Sequence, residues 1–310
     1  MILTLTLNPA VDQTVTADGL VLGDVNRVRD AHLDPAGKGI NASRMAHRLG
    51  WPTVAFGLLG GELGAIVRQA LDAEGVQHHF VRIEGQTRLN VTIVDAGART
   101  ATSLYAQGPG ATPEQLETLD GLLRFWLPAS KVLVLAGSLP PGAAGDTYAR
   151  HIRAARAAGV KVILDADGEP LRLGTDARPD LIKPNVAEAE RLLGRSLPDL
   201  DAVVSGAREL VERGIGTVVI SMGAEGAVCV QSGRAWRVIA PRVERRSTVG
   251  SGDSMVAGLA VALARGDDLL EGMRLGTAAG AATAMTPGTG LGTAEGIAQL
   301  LPQVFVEALA

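Results

Sequence analysis

The stretch Thr248-Val249-Gly250-Ser251-Gly252-Asp253-Ser254 lies directly before a run of small apolar residues of helical length, Met255 to Leu263. Its two glycines let the backbone turn tightly and approach a ligand closely. The helix that follows leaves its first amide groups without partners inside the helix, and its dipole places partial positive charge there. The stretch therefore predicts a site for an anion such as a phosphoryl group.

Asp253 lies in the first turn of this predicted helix, where the helix dipole favours the ionised carboxylate. An ionised carboxylate beside an anion site can take the proton from an alcohol during phosphoryl transfer. A structural interpretation is also open, because a glycine turn followed by Asp and Ser is an ordinary helix cap. A dinucleotide-binding fingerprint fits worse, because its third glycine would fall at Met255.

The composition is that of a globular protein. The chain has 310 residues, of which 46% are hydrophobic and 20% charged, and this excludes a disordered chain. The net charge of −4 and the lack of a basic patch interleaved with aromatic residues argue against nucleic acid as a partner. Neither a signal peptide nor an uninterrupted apolar run of membrane-spanning length is evident, so we expect a cytoplasmic protein with no membrane partner.

Apolar strands alternate with helices along most of the chain. This alternation predicts an α/β fold with a doubly wound, mostly parallel sheet and helices on both faces. Two runs of short, half-polar strands, near 12–35 and 86–106, do not fit that core. We predict that they form a small β-sheet lid inserted in a single domain spanning 1–310. The last third is predicted to be mainly helical, with its final helix over 296–309.

Polar and glycine-rich motifs follow several of the predicted strands. In a doubly wound sheet, ligands bind outside the carboxyl ends of the strands. Turn chemistry alone would explain any one of these motifs. Their number, together with the anion site, favours a functional site at this edge. The three motifs are Gly137-Ser138-Leu139-Pro140, Asp165-Ala166-Asp167-Gly168 and Ser221-Met222-Gly223-Ala224-Glu225-Gly226.

Other polar residues have both a structural and a functional interpretation. Asp12 fits an Asx turn, or it accepts hydrogen bonds from a polyol. Lys38 lies between two glycines at a predicted helix start and would neutralise an anion, although the phosphate-loop spacing is absent. Arg88 fits either a solvated strand edge or a phosphate ligand. Asn185 and Glu188 form a capping box, or they order the water around Mg²⁺ near a nucleotide, and both are open.

Seven motifs in order along the chain resemble the PfkB branch of the ribokinase-like sugar kinases, and within it the 1-phosphofructokinase group. They are Asn8-Pro9-Ala10-x-Asp12, Ala36-Gly37-Lys38-Gly39-Ile40-Asn41, Thr87-Arg88-x-Asn90, Gly137-Ser138-Leu139-Pro140, Lys183-Pro184-Asn185-x-x-Glu188, Ser221-x-Gly223-Ala224-x-Gly226 and Thr248 to Gly258. The resemblance implies a kinase that uses ATP and Mg²⁺ to convert fructose 1-phosphate to fructose 1,6-bisphosphate. Tagatose 6-phosphate is the alternative substrate.

The resemblance also implies roles for individual residues. Asp253 would be the base, and the anion hole would be formed by the amides of Gly250, Ser251 and Gly252. The sugar phosphate would be held by Asp12, Gly37, Lys38, Asn41, Arg88, Asn90 and Ser138, with Lys38 and Arg88 on its phosphate. ATP would be bound by Lys183, Asn185, Glu188, Ser221, Gly223 and Gly226, with Glu188 also holding Mg²⁺ through water. Relatives often pair through the lid, so a homodimer is expected.

The chain departs from the family pattern at three places. Ser251 stands where alanine is usual, and Asp167 stands where many relatives have serine. The Tyr105–Pro109 segment lacks the acidic residue often found before its Gly-Pro. Fructose-6-phosphate kinases of the family usually carry glycine at the position of Lys38, which argues against that substrate. A sugar-phosphate-binding regulator without catalysis is also disfavoured, because a protein that only binds has no need of Asp253.

Overall fold

The computed structural model describes residues 1–98 and 100–309, and within these ranges it contains a ten-stranded and a four-stranded sheet. The strands are β1 (Ile2–Thr6), β2 (Ala10–Ala17), β3 (Asp30–Ala36), β4 (Thr53–Leu59), β5 (Gln77–Arg82), β6 (Arg88–Asp95), β7 (Thr100–Leu104), β8 (Val132–Ala136), β9 (Lys161–Asp165), β10 (Leu181–Ile182), β11 (Thr217–Ser221), β12 (Ala227–Gln231), β13 (Arg234–Ile239) and β14 (Phe305–Leu309). The α-helices are α1 (Lys38–Arg48), α2 (Gly61–Glu74), α3 (Pro113–Trp126), α4 (Thr147–Ala157), α5 (Gly168–Asp176), α6 (Val186–Leu193), α7 (Leu200–Glu212), α8 (Ser251–Arg265), α9 (Leu269–Ala284) and α10 (Ala294–Leu300).

The large sheet has the strand order β14-β13-β12-β11-β10-β9-β8-β1-β4-β5. Its seven strands β5, β4, β1, β8, β9, β10 and β11 pair in parallel. Strands β12, β13 and β14 extend the sheet at the β11 edge and pair antiparallel. Every residue of β1, β4 and β8 is buried, because helices cover both faces. One face packs against α3 to α7 and the other against α1, α8, α9 and α10. The predicted doubly wound fold is confirmed.

The small sheet has the order β3-β2-β6-β7 and comes from the two chain segments predicted to leave the core. Strands β2 and β6 pair in parallel, and the outer pairs are antiparallel. Val11 anchors this sheet to the body of the protein, because it packs in an apolar cluster with Ile40 of α1 and Leu71 of α2. The small sheet therefore stands over the edge of the large sheet at which β1 and β4 end.

The predicted helix over 296–309 is wrong in its second half. Helix α10 ends at Leu300, and Phe305–Leu309 forms β14, which pairs antiparallel with β13. Pro302 lies just beyond the helix and cannot donate a backbone hydrogen bond, so the helix stops there. Pairing with β13 then satisfies the backbone of the last residues. No helix in the described part of the chain is long and apolar enough to cross a membrane.

Helices α8 and α9 approach each other through glycines. A Cβ atom added at Gly258 would lie 2.5 Å from the Cα and N atoms of Gly276, and one at Gly276 would lie 2.7 Å from the backbone oxygen of Met255. The two backbones are thus in direct contact. This contact matters for function, because α8 carries the Gly250–Asp253 motif at its amino end.

Replacing Gly258 by alanine is therefore expected to destabilise the protein, although alanine is the better helix former. Overpacking should lower the free energy of unfolding by about 1–3 kcal/mol. Gly121 in α3 is the matched control, because a Cβ there meets nothing within 4 Å. Gly121→Ala should raise the free energy of unfolding by about 0.5–1 kcal/mol. Denaturant titration of both variants measures this, and equal shifts of the same sign would contradict the predicted contact.

Candidate active site

The predicted site residues gather at the carboxyl ends of the central parallel strands. The loops after β1, β8, β9, β10 and β11 start there, and helices α1, α6 and α8 begin there. Hydrogen bonds and ion pairs join most of these residues into two groups, one around Asp253 and one around Arg88. A third group, after β11, joins the first through a bridge between Asn185 and Ser221.

The amino end of helix α8 has the features of an anion site. Gly250 precedes it with φ of +78°, a left-handed conformation that suits glycine, and none of the described side chains caps the helix. The first normal helical bond runs from the amide of Ser254 to the oxygen of Gly250, at 2.9 Å. The Nζ atom of Lys183 lies 3.3 Å from the position that a Cβ of Gly252 would occupy. The ammonium group of Lys183 therefore lies beside the first amides of α8.

Asp253 is buried beside this helix start. The residue is 8% exposed, and its Oδ2 accepts a hydrogen bond of 2.8 Å from the Nδ2 of Asn41. Burial, together with the negative charge of Asp165, raises the pKa of Asp253 to about 6, although Lys38, Asn41 and Lys183 act in the opposite direction. The carboxylate can therefore gain or lose a proton near neutral pH, as a general base must.

Asp165 lies at the centre of the charged group but is not among the predicted site residues. It ends β9 with 1% exposure, and its two oxygens lie 2.9 Å from the Nζ of Lys38 and 3.5 Å from that of Lys183. Burial acts to raise its pKa, yet the two lysines outweigh burial and lower it. The same ion pairs, with Glu188 and Asp253, raise the pKa of Lys38 against the effect of burial. The two lysines and the three carboxylates therefore lie close together and offset one another's charge.

Asn185 and Glu188 form the capping box that was one of their two interpretations. The amide of Asn185 donates to Oε2 of Glu188, and the amide of Glu188 donates to Oδ1 of Asn185, both at 2.9 Å. The other oxygen, Oε1, lies 3.5 Å from the Nζ of Lys38. Among the described residues there is no group of three or more acidic, histidine or cysteine side chains placed to hold a metal. One carboxylate oxygen outside the cap suits a metal ion held mainly through water.

The second group lies where the small sheet meets β1. Asn90 is paired with Asp12 across β6 and β2, and its Nδ2 donates to Oδ1 of Asp12 at 2.8 Å. Arg88 donates to the backbone oxygens of Ala106 at 3.0 Å and Asn8 at 2.9 Å. Burial lowers the pKa of Arg88, and Asp12 opposes that shift. The guanidinium is thus held in place before any ligand binds.

Two further predicted site residues, Gly37 and Ser138, lie next to the second group. Gly37 precedes α1 with φ of +134°, and a Cβ there would lie 2.8 Å from a methyl group of Thr6, so only glycine fits. Ser138 follows β8, and its Oγ lies 3.2 Å from the Nδ2 of Asn8. Lys38 follows Gly37 directly, and its Nζ reaches the first group, at 2.9 Å from Asp165 and 3.5 Å from Glu188.

The third group follows β11. Ser221 is the last residue of that strand, and Gly223 and Gly226 occupy the turn beyond it with φ of +60° and +92°. A Cβ on Gly226 would lie 1.8 Å from the backbone oxygen of Val238, so this glycine is required by the fold alone. The turn therefore has a structural role that does not depend on a ligand.

Asp167, one of the departures from the family pattern, caps α5 and accepts a hydrogen bond from the amide of Gly168. Arg191 of α6 donates from one Nη to both of its oxygens at 2.9 Å. Asp167 thus ties α5 to the helix that begins after Asn185 and carries Glu188.

Comparison with known proteins identifies the class of protein. Residues 5–295 match the model of the pfkB family carbohydrate kinases, and the chain belongs to this family. It is 42% identical to 1-phosphofructokinase of Rhodobacter capsulatus over 89% of this chain and 88% of that protein. It is 35% identical to 1-phosphofructokinase of Borreliella burgdorferi over 92% of each. The crystal structure of phosphofructokinase-2 from Escherichia coli with substrates and products superimposes with a TM-score of 0.91, at 30% identity, over 97% of this chain and 98% of that one.

The predicted family, the α/β fold class and the assignment as a sugar-phosphate kinase are confirmed by these similarities. Membership of a kinase family also implies ATP as a substrate. The roles of individual residues, the identity of the sugar, Mg²⁺ and the state of assembly stay predictions.

Proposed function

We propose that this protein transfers the γ-phosphoryl group of ATP to fructose 1-phosphate and releases fructose 1,6-bisphosphate and ADP. The observation that carries the proposal is the buried carboxylate of Asp253 beside the uncapped amino end of α8 and the ammonium of Lys183. A base, an anion site and a cation within one small volume are what phosphoryl transfer requires. The names of the relatives and the presence of Lys38 support fructose 1-phosphate as the sugar.

In the proposed reaction, Asp253 takes the proton of the accepting sugar hydroxyl as that oxygen attacks the γ-phosphorus. The bond from the γ-phosphorus to the bridging oxygen breaks, and ADP leaves with the electron pair. The amides of Gly250, Ser251 and Gly252 would donate hydrogen bonds to the transferring group, where negative charge concentrates, and the amide of Ser251 would exchange its bond of 3.4 Å to the oxygen of Thr248 for one to this group. Lys183 is fixed against the same helix start and supplies positive charge there.

The sugar phosphate would bind between the two groups of residues. Arg88 and Lys38 would hold its phosphate, and Asp12 with Asn90 would accept and donate hydrogen bonds to sugar hydroxyls. Gly37, Asn41 and Ser138 would line the same space. Asn185, Ser221, Gly223 and Gly226 would bind the nucleotide. Mg²⁺ would be held through water by Glu188, and when bound it would neutralise charge on the phosphates of ATP.

Turnover with candidate sugars tests the proposal directly. ADP release would be measured with ATP, Mg²⁺ and one of four acceptors: fructose 1-phosphate, tagatose 6-phosphate, fructose 6-phosphate or fructose. We expect the highest kcat/KM with fructose 1-phosphate. A higher value with tagatose 6-phosphate would keep the base and the anion site but reject the proposed sugar. No turnover with any acceptor would reject catalysis and favour a sugar-phosphate-binding regulator.

The raised pKa of Asp253 predicts a dependence of turnover on pH. Because the base must be ionised, kcat/KM should fall roughly tenfold per unit as the pH drops below the pKa of Asp253 in the free protein, which is about 6. The second ionisation of a sugar phosphate also lies near pH 6, so a control is needed. The residual activity of Asp253→Asn should lack this acid limb. The assignment of Asp253 as the base would fail if both proteins shared one pH profile.

We also propose that the chain works as one domain in the cytoplasm, with the small sheet as a lid. Two copies would form a homodimer through the exposed face of that sheet. Support comes from large apolar side chains left in solvent on the outer strands and on the loop between β2 and β3, among them Leu33 of β3 (49% exposed), Leu104 of β7 (57%) and Leu22 of the loop (89%). Light scattering after size exclusion should give twice the chain mass for the wild type. Leu22→Asp should give the mass of one chain, and a monomeric wild type would overturn the proposed dimer.

A further inference from the structure

Asn8 is the second residue after β1, within the bend that leads to β2, and it is buried although it is polar. We propose that Asn8 is a positioning residue that sets the orientation of Arg88 and Ser138 and so determines the affinity for the phosphorylated sugar. This inference rests on the proposed function, because it concerns the sugar-phosphate end of the same site. Asn8 is not among the predicted site residues.

Asn8 makes contacts to three separate parts of the chain. Its Nδ2 donates to the backbone oxygen of Gln107 at 3.0 Å and lies 3.2 Å from the Oγ of Ser138. Its own backbone oxygen accepts the hydrogen bond of 2.9 Å from Arg88. The three partners are 99, 130 and 80 residues away in the sequence, so Asn8 joins segments that local structure does not hold together.

The orientation of Arg88 depends on this junction. One Nη donates to the oxygen of Asn8 and the other to the oxygen of Ala106, and Asn8 in turn holds the adjacent Gln107. The Nε of Arg88 is buried and has no hydrogen-bond partner in the described part of the chain, so the two Nη bonds fix the guanidinium. Each Nη carries a second N–H, which leaves a pair of donors for a phosphate.

The Tyr105–Pro109 segment packs against both Asn8 and Arg88. Gly108 has φ of +88°, and a Cβ there would lie 2.4 Å from the Oδ1 of Asn8 and 3.2 Å from the Cδ of Arg88. The amide of Ala106 also donates to Oδ1 of Asn90 at 3.3 Å. The backbone of this segment therefore holds the side chains of Arg88 and Asn90 in place, and the side chain of Asn8 connects the segment to the end of β1.

Asn8→Ala removes both hydrogen bonds of the side chain. We expect KM for the sugar phosphate to rise roughly tenfold, while kcat and KM for ATP change by less than about twofold, since two hydrogen bonds of ordinary strength are lost at one end of the site. The preference for the phosphorylated sugar over free fructose should fall in parallel. Gln231→Ala is the matched control, because it removes an amide-to-hydroxyl bond of 2.8 Å to Thr217 far from the site.

Gly108→Ala tests the same junction without altering Asn8 or Arg88. It should reproduce the rise in KM for the sugar phosphate. Gly266→Ala is its control, because Gly266 has a similar φ of +85° but no atom within 4 Å of the added Cβ, so it carries the backbone strain alone. A rise in KM for both substrates, or an unchanged KM in folded Asn8→Ala or Gly108→Ala, would overturn the inference. Failure of the proposed function would instead appear in the wild type, as absence of turnover with every sugar phosphate.

Discussion

Asp253→Asn is expected to lower kcat by about 10²- to 10⁴-fold, the contribution typical of a general base. Asparagine has nearly the same shape, and its amide oxygen can still accept the hydrogen bond from Asn41. The change therefore removes the proton acceptor and little else. Binding of ATP should be retained, because Lys183 and the amides of α8 are unchanged.

The stability of Asp253→Asn separates loss of chemistry from loss of fold. The pKa of Asp253 is raised because burial, and then Asp165, disfavour its charge, so the ionised side chain opposes folding at neutral pH. A neutral residue should remove that cost, and the melting temperature is expected to rise. An inactive variant that melts at a higher temperature could not be dismissed as misfolded.

Asp268→Asn is the matched control for this variant. Asp268 also begins a helix, α9, where its Oδ1 accepts a bond of 2.7 Å from the amide of Leu270. Asparagine caps helices as well as aspartate does, so turnover and stability should stay near those of the wild type. Steady-state kinetics and calorimetric ATP binding on both variants provide the test. Near-normal kcat in Asp253→Asn would show that the proton leaves by another route.

The elements of the large sheet were predictable because their signals are local. Fully apolar strands such as 132–136 indicate burial on both faces, and helices between them dictate parallel pairing. The strand β14 was not predictable in this way. Val304 is buried and Phe305 is 65% exposed, an alternation too short to outweigh a helical interpretation. The partner strand β13 lies more than sixty residues earlier, and only tertiary pairing decides the outcome.

The site was predictable as a set of motifs but not as a network. Lys38 and Asn41 were predicted from a motif, yet their partners Asp165 and Asp253 are 127 and 212 residues away in the chain. Asp165 lies in one of the three strand-end motifs, but a single aspartate at a strand end is a common turn residue, so the motif gives Asp165 no particular role. The signal that would have found it is the continuous apolar strand that ends on this charge, since a buried carboxylate needs cations nearby.

Asp165→Asn is expected to lower the free energy of unfolding by about 3–5 kcal/mol, the usual cost of breaking a buried ion pair from one side. The variant leaves two ammonium groups without their shared carboxylate, and Lys183 is only 4% exposed. Activity should fall as well, because both lysines are proposed to act on phosphates. The size of the effect depends on burial, so an exposed pair of the same strand is the appropriate comparison.

Asp180→Asn supplies that comparison. Asp180 pairs at 2.8 Å with Lys161 of β9, whose side chain is 61% exposed, and its other oxygen accepts a hydrogen bond of 2.9 Å from the amide of Val162. The amide oxygen of asparagine can still accept that second bond, so the substitution removes only the ion pair with Lys161. An exposed pair contributes about 0–1 kcal/mol, so this variant should unfold almost like the wild type. Chemical denaturation of the three proteins at one pH measures the difference. If Asp165→Asn and Asp180→Asn lost equal stability, the buried cluster would not hold the site together.

The loss of stability expected in Asp165→Asn depends on pH, and its direction follows from the pKa of Asp165. The pKa of Asp165 is lowered because Lys183 and Lys38 outweigh burial, so its contribution to folding is present above the pKa of an unfolded aspartate, 3.8, and is lost as the pH falls through the lower folded value. The gap in stability between the wild type and Asp165→Asn should therefore be full at pH 7 and close in acid. A gap that stays constant into strong acid would mean that the loss arises from altered packing, because only the ionised carboxylate can pair with the two lysines.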